Sequence, residues 1–147
     1  MPVPPAIRLS ARGAAGAAEA WERYARPSRW PEWSPQIARV DAGADRIAPG
    51  LTGTVSAVAG VGGVRFVVDA VDEPARTWCW RVVPCLGRPD AGLALPPLGM
   101  TLRHVVEPDG SGSVTRLEIR ALHWAGAPVA AAYAPLARVA LARLVHA

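Results

Sequence analysis

The chain has 147 residues, 51% hydrophobic and 19% charged, a balance that excludes intrinsic disorder and provides for one domain, residues 1–147, with a sizeable core. Its net charge of +4 rests on arginine alone, since all 16 basic residues are Arg; they are scattered rather than run together, so no nucleic-acid-binding tract is made. Two cysteines, Cys79 and Cys85, form no disulfide framework, and their C-x5-C spacing without a histidine pair is no zinc pattern.

The opening MPVPPAIRLSARG carries prolines where a signal peptide would need an unbroken apolar stretch, which points to a cytoplasmic protein. Ile7 and Leu9 then alternate with Arg8 and Ser10, the period of a half-buried strand. From Gly13 to Ala25 the sequence turns to helix formers dominated by alanine, and Pro27 ends that helix. RWPEWSP (29–35) follows, bracketed by Pro31 and Pro35 so that only a single turn or short helix fits. Its two tryptophans read as a rigid apolar plug against the sheet edge, with Trp33 structural.

Six further strands are predicted, at Gln36 to Asp41, Leu51 to Val58, Val64 to Val71, Arg76 to Val83, Met100 to Glu107 and Ser113 to Ala121. The Gly-rich AGVGGV (59–64) lies between strands with no following helix or Lys, so it reads as a flexible hairpin rather than a phosphate cradle. Pro84 to Gly99 reads as a long hairpin loop, and both segments are expected to rim or gate a pocket. Gly126, Ala127 and Pro128 open a closing helix that runs to about His146. That helix approaches the length of a bilayer span, but Arg138, Arg143 and His146 favour a soluble amphipathic helix, so no membrane span is expected. Pro135, which cannot donate to the carbonyl of Ala131, predicts a bend within it.

Strands joined by hairpins, with helices near the start and a long one at the end, make an α+β arrangement. This order, with WERYARPSRWPEWSP (21–35), VDEPARTWCWRV (71–82), LRHVVEPDGSGSVTRLEI (102–119) and YAPLARVALARL (133–144), resembles the START-like (SRPBCC) superfamily in its bacterial polyketide cyclase/dehydrase branch. The resemblance implies a helix-grip fold: a curved seven-stranded antiparallel sheet wrapped around a long C-terminal helix, with two short helices near the N-terminus and a cavity between sheet and helix. It also implies a hydrophobic small-molecule ligand, aromatic or polyketide-like, and only some members of that superfamily are enzymes.

Alternation assigns the faces of the sheet. Trp78, Trp80 and Val82 share one side of their strand; Leu102, His104 and Val106 share the corresponding side of theirs, as do Leu117, Ile119 and Ala121, with arginine and glutamate opposite. The closing helix faces this wall with Ala130, Ala134, Ala137 and Ala140, together with Tyr133, Leu141 and Leu144. Such small side chains must bring the backbones very close or enclose a void, and a void of roughly 300 to 1,000 Å3 is the expectation.

The polar candidates inside are His104 and Tyr133, with His123 beyond the last inward strand position; a histidine beside a phenol could move protons in aldol-type cyclisation and dehydration. The predicted ligand wall is Phe66, Trp78, Trp80, Leu117, Ile119 and Ala137. No metal and no cofactor are expected, nor a nucleic-acid partner, and the assembly is a monomer or homodimer. The competing readings are a non-enzymatic carrier or sensor of lipid-like ligands and a module using its Arg-rich outer face on acidic partners.

Overall fold

The computed structural model describes residues 3–58 and 62–147. Strand β1 (Ile7–Gly13) leads through Ala15 and Gly16 into α1 (Ala17–Ala25), and a 3-10 turn at Pro27–Arg29 runs into α2 (Trp30–Trp33). Then come β2 (Ile37–Ala42), β3 (Thr52–Ala57), β4 (Gly63–Asp72), β5 (Thr77–Leu86), β6 (Leu93–Ala94), β7 (Met100–Asp109), β8 (Gly112–Ala121) and α3 (Ala127–Leu144). The sheet is antiparallel, in the order β1-β8-β7-β5-β4-β3-β2, with the short β6 paired to β5 off this path. The seven strands expected from alternation are therefore the seven of the main path.

Register brings the inward side chains into rows. Val68, Trp80, Leu102, Ile119 and Ile7 stand side by side across five strands, and Trp78, His104, Leu117 and Leu9 across four. Shifts of register between Val68 and Ala70 and between Ile37 and Arg39 mark bulges, which bend a strand and raise its twist. The outer face carries ion pairs such as Arg8–Glu118 (3.3 Å), Arg120–Glu118 (2.8 Å) and Arg81–Asp69 (2.9 Å). Exposed pairs of this kind contribute about 0 to 1 kcal/mol each, so they sort the faces more than they hold the fold.

The end of α1 explains the tryptophan-rich turn. A helix leaves its last four carbonyls without intrahelical donors. Here Arg23 accepts from Trp33 Nε1 (3.0 Å), Tyr24 from Trp30 Nε1 (2.8 Å), Ala25 from the Ile47 amide (2.8 Å) and the C-cap Arg26 from the Arg29 amide (2.9 Å). Two of the four are thus capped by indoles, and both rings are buried. The prolines that shorten α2 bring its tryptophans back over the helix they cap.

The closing helix is fixed at its far end. Nη1 of Arg23 donates to the carbonyls of Leu144 (2.6 Å), His146 (2.8 Å) and Arg143 (3.3 Å), supplying charge-assisted bonds where the helix dipole is negative. The chain crosses β1 so closely that a Cβ on Gly13 would stand 2.2 Å from the Val145 carbonyl oxygen. Ala130, Ala137, Ala140, Leu141 and Leu144 are the buried face of α3. Its outer face is less polar than an amphipathic helix requires: Ala131, Ala132, Leu136, Val139 and Ala142 are exposed beside Arg138 and Arg143. Trp124–Leu144 is long and apolar enough to cross a membrane by length and composition alone, with mean hydropathy 1.3, but its inner face is packed on the sheet.

The segment from Pro84 to Gly99 is more ordered than a single loop. β5 continues to Leu86, β6 returns onto Cys85 and Leu86, and a 3-10 turn spans Pro96–Leu98. Arg65 pins it by donating to the carbonyls of Pro89 and Gly92, each at 2.8 Å. In the Gly-rich AGVGGV, residues 59–61, on which the flexible-hairpin reading falls, lie outside the described residues. Both cysteines are free thiols.

Candidate functional site: an apolar cavity beneath the closing helix

A cavity of about 310 Å3 lies between the first half of α3 and the β2–β5 side of the sheet. Its floor is Val55 and Ala57 of β3, Gly63 and Val64 of β4, Trp80, Val82 and Pro84 of β5, and Met100 and Leu102 of β7. Val129, Tyr133 and Leu136 of α3 close it from above, and Gln36 and Ile37 close the β2 edge. The volume falls at the lower end of the range of small-molecule sites.

The alanines do not make this space. Ala130, Ala137 and Ala140 are buried on the face of α3 that lies on β1 and β8, where small side chains let backbones approach. The void opens on the other flank of the helix, under Val129, Tyr133 and Leu136. Leu117 and Ile119, on β8, consequently sit in packed core, and neither they nor Ala137 line the cavity.

Phe66 and Trp78 are also buried away from the cavity, for a reason the tryptophan-rich turn supplies. The ring of Trp30 enters the concave face and stands 5.4 Å from Phe66, 5.7 Å from Trp78 and 5.0 Å from Trp80, centre to centre. The plug fills the part of the curve those two rings would otherwise have presented to a ligand. Of the predicted ligand wall, Trp80 lines the cavity; of the predicted acid/base pair, Tyr133 does.

His104 stands behind Trp80. Trp80 Nε1 donates to His104 Nε2 at 3.0 Å; an indole N–H can only donate, so the imidazole proton sits on Nδ1. That Nδ1 is buried and without a partner among the described residues, as is Nε1 of Trp78, whose ring stacks on the imidazole at 4.7 Å. Tyr24 meets the same imidazole edge-on at 4.7 Å. The Tyr24 hydroxyl donates to Thr115 Oγ1 (2.7 Å), because the threonine's single proton goes to the Val105 carbonyl (3.1 Å). His104 thus holds the indole of Trp80 in place and reaches the cavity only through it. His123 is exposed, its Nδ1 accepting from the Ala125 amide at 3.0 Å, and it does not enter the cavity.

Burial depresses the His104 pKa from 6.5 to about 3, so the imidazole is neutral at physiological pH. The unfolded chain binds this proton from about pH 6.5 downward while the folded chain resists it to about pH 3, so His104 destabilises the fold as pH falls through that window. The contribution is about 1 kcal/mol lost between roughly pH 7 and 5.5. The carboxylates whose pKa values are lowered, Glu19, Glu73 and Glu118, each by hydrogen bonds from arginine, weaken the fold only at more acid pH, below their ordinary value of 4.5. Urea titrations at several pH values are expected to show a slope above pH 5 that is absent in His104→Gln; an unchanged slope in the variant would contradict this assignment.

Burial also pushes the Tyr133 phenol up to about 12. It is the single titratable side chain in the cavity lining among the described residues. Gln36, which the sequence reading placed at the start of a strand and gave no role, is the other polar side chain with free hydrogen-bonding capacity there; its Oε1 is buried without a partner among the described residues. Nothing in its local pattern distinguishes it, since its place at the cavity edge depends on how α2 turns the chain into β2.

Against this geometry the family comparison is decisive. The sequence model of the family described as polyketide cyclase / dehydrase and lipid transport matches residues 5–147. The chain belongs to this family. A search of curated proteins gives no match. Among solved structures, the crystal structure of Ara h 8.0201 superposes with a TM-score of 0.72 at 13% identity, over 95% of this chain and 94% of that one. At that identity the likeness speaks to fold, and the fold is the helix grip: a curved antiparallel sheet, a long C-terminal helix and short N-terminal helices. Family and fold together support hydrophobic ligand binding.

Proposed function

We propose that the protein binds an aromatic or polyketide-like hydrophobic molecule in the cavity beneath α3, and that it works as a carrier or sensor rather than as a cyclase or dehydrase. The observation that carries this reading is the cavity itself, about 310 Å3 of space between sheet and helix, walled by valine, leucine, isoleucine, methionine and Trp80. Acid/base chemistry needs a proton donor and a proton acceptor within reach of the substrate. Tyr133 could supply a donor, but His104 is screened by the indole of Trp80 and is committed to it through Nε2. The Arg-rich outer face, the basis of a third reading, is largely consumed by its own ion pairs.

Native mass spectrometry of the protein purified from its own host tests this directly. The expected spectrum shows the chain with an apolar adduct that denaturation releases and that prolonged incubation leaves chemically unchanged on chromatography. A cyclised or dehydrated product would overturn the carrier assignment. A bare chain that also fails to take up added polycyclic aromatics would overturn the binding assignment.

A further inference from the structure

Two polar side chains with free hydrogen-bonding capacity, Gln36 and Tyr133, line the otherwise apolar cavity. Oε1 of Gln36 is buried with no hydrogen-bond partner among the described residues, and the hydroxyl of the half-buried Tyr133 makes no hydrogen bond to any of them. The other polar group at the wall, the Trp80 indole N–H, is already given to His104. A native core rarely leaves a buried amide oxygen unpaired, because the group forfeits its hydration without compensation. A ligand carrying a matching polar group would complete that amide and give the Tyr133 hydroxyl a partner.

We infer that Gln36 and Tyr133 form a polar anchor that selects hydrophobic ligands bearing an uncharged hydroxyl group, and rejects their carboxylate counterparts. The inference rests on the cavity being the ligand site. A hydroxyl both donates and accepts, so it can give its proton to the Gln36 carboxamide oxygen and take one from the Tyr133 phenol. If the carboxamide is turned by half a rotation, the roles exchange and the same hydroxyl still satisfies both groups. A carboxylate finds no such match. No arginine or histidine lines the cavity among the described residues, so the anion would lose its hydration without a counter-charge. The phenol, buried beside apolar neighbours, stays protonated and able to donate.

Isosteric probes separate this inference from the binding reading on which it rests. Calorimetric titrations of the full chain with 2-naphthol, 2-methylnaphthalene and 2-naphthoate hold ring size constant while changing one substituent. The expected result is 2-naphthol about tenfold tighter than 2-methylnaphthalene, the worth of a hydrogen bond that satisfies a buried group, with 2-naphthoate about 100-fold weaker than 2-naphthol. In Gln36→Leu and Tyr133→Phe the ratio of 2-naphthol to 2-methylnaphthalene affinity should shrink, falling to about one in the double variant. Equal binding of 2-naphthol and 2-methylnaphthalene by the unmodified protein, or a preference that survives the double variant, overturns the anchor and leaves the binding site standing. Binding of none of the three overturns the site itself. If the double variant does not fold, the ratio measured on the unmodified chain decides.

Discussion

Replacing Trp30 with alanine is expected to lower the free energy of unfolding by about 3 to 5 kcal/mol, the range for truncating a large buried aromatic. The residue is 1% exposed and packs against Phe66, Trp78 and Trp80, so its removal leaves a hole that three rings anchored in paired strands cannot easily close. Its indole N–H also caps the Tyr24 carbonyl, and stripping a buried carbonyl of its donor costs about 1 to 3 kcal/mol in its own right. Trp30→Phe separates the two contributions, because it keeps most of the ring and loses the donor; it is expected to cost about 1 to 2 kcal/mol. Urea denaturation followed by circular dichroism reads both. Loss of less than about 1 kcal/mol in the alanine variant would mean that the turn is ornament on the fold rather than its plug.

That plug shows where sequence reasoning reached and where it stopped. Strict alternation in TWCWRV, TLRHVV and VTRLEIRA made the inner face of the sheet legible, and Trp78, Trp80, Leu102, His104, Leu117 and Ile119 are all buried on it. Alternation reports which side of a sheet a residue faces, but not what covers that side at each point. Leu117 and Ile119 are buried in packed core, Phe66 and Trp78 are covered by Trp30, and only Trp80 of the predicted ligand wall lines the open space. These are contacts between elements far apart in sequence, and no local period encodes them.

His104 illustrates the same boundary from the chemical side. An inward histidine in an apolar strand was visible in the sequence, but its partner, Trp80, lies 24 residues away across the β5–β7 pairing, and the hydrogen bond between them decides the tautomer. Gln36 is the converse case, a residue with no local signal that acquires its place from the fold. The alanine row of α3, expected from the sequence to enclose a void, instead packs closely. Ala130, Ala137 and Ala140 are buried, and the space opens beside them under Val129, Tyr133 and Leu136.

The second large effect concerns that space. Val129, on the first turn of α3, lines the cavity and is partly buried. Replacing it with tryptophan adds an aromatic ring where the cavity now is. In a filled core such an insertion forces side chains off their rotamers and costs about 1 to 3 kcal/mol. In an open cavity the same ring buries apolar surface at about 25 cal/mol per Å2 and displaces whatever the cavity would hold. Val129→Trp is therefore expected to leave stability unchanged or raised while binding of 2-methylnaphthalene falls by about 100-fold or more, a loss of roughly 2.7 kcal/mol. Paired titration of the unmodified chain and Val129→Trp with this probe, with urea denaturation of each, is the most direct test of a ligand-holding cavity beneath the closing helix. The account predicts binding by the first, none detectable by the second, and no loss of stability between them. Equal binding by both, or a Val129→Trp protein destabilised as an overfilled core would be, would contradict it.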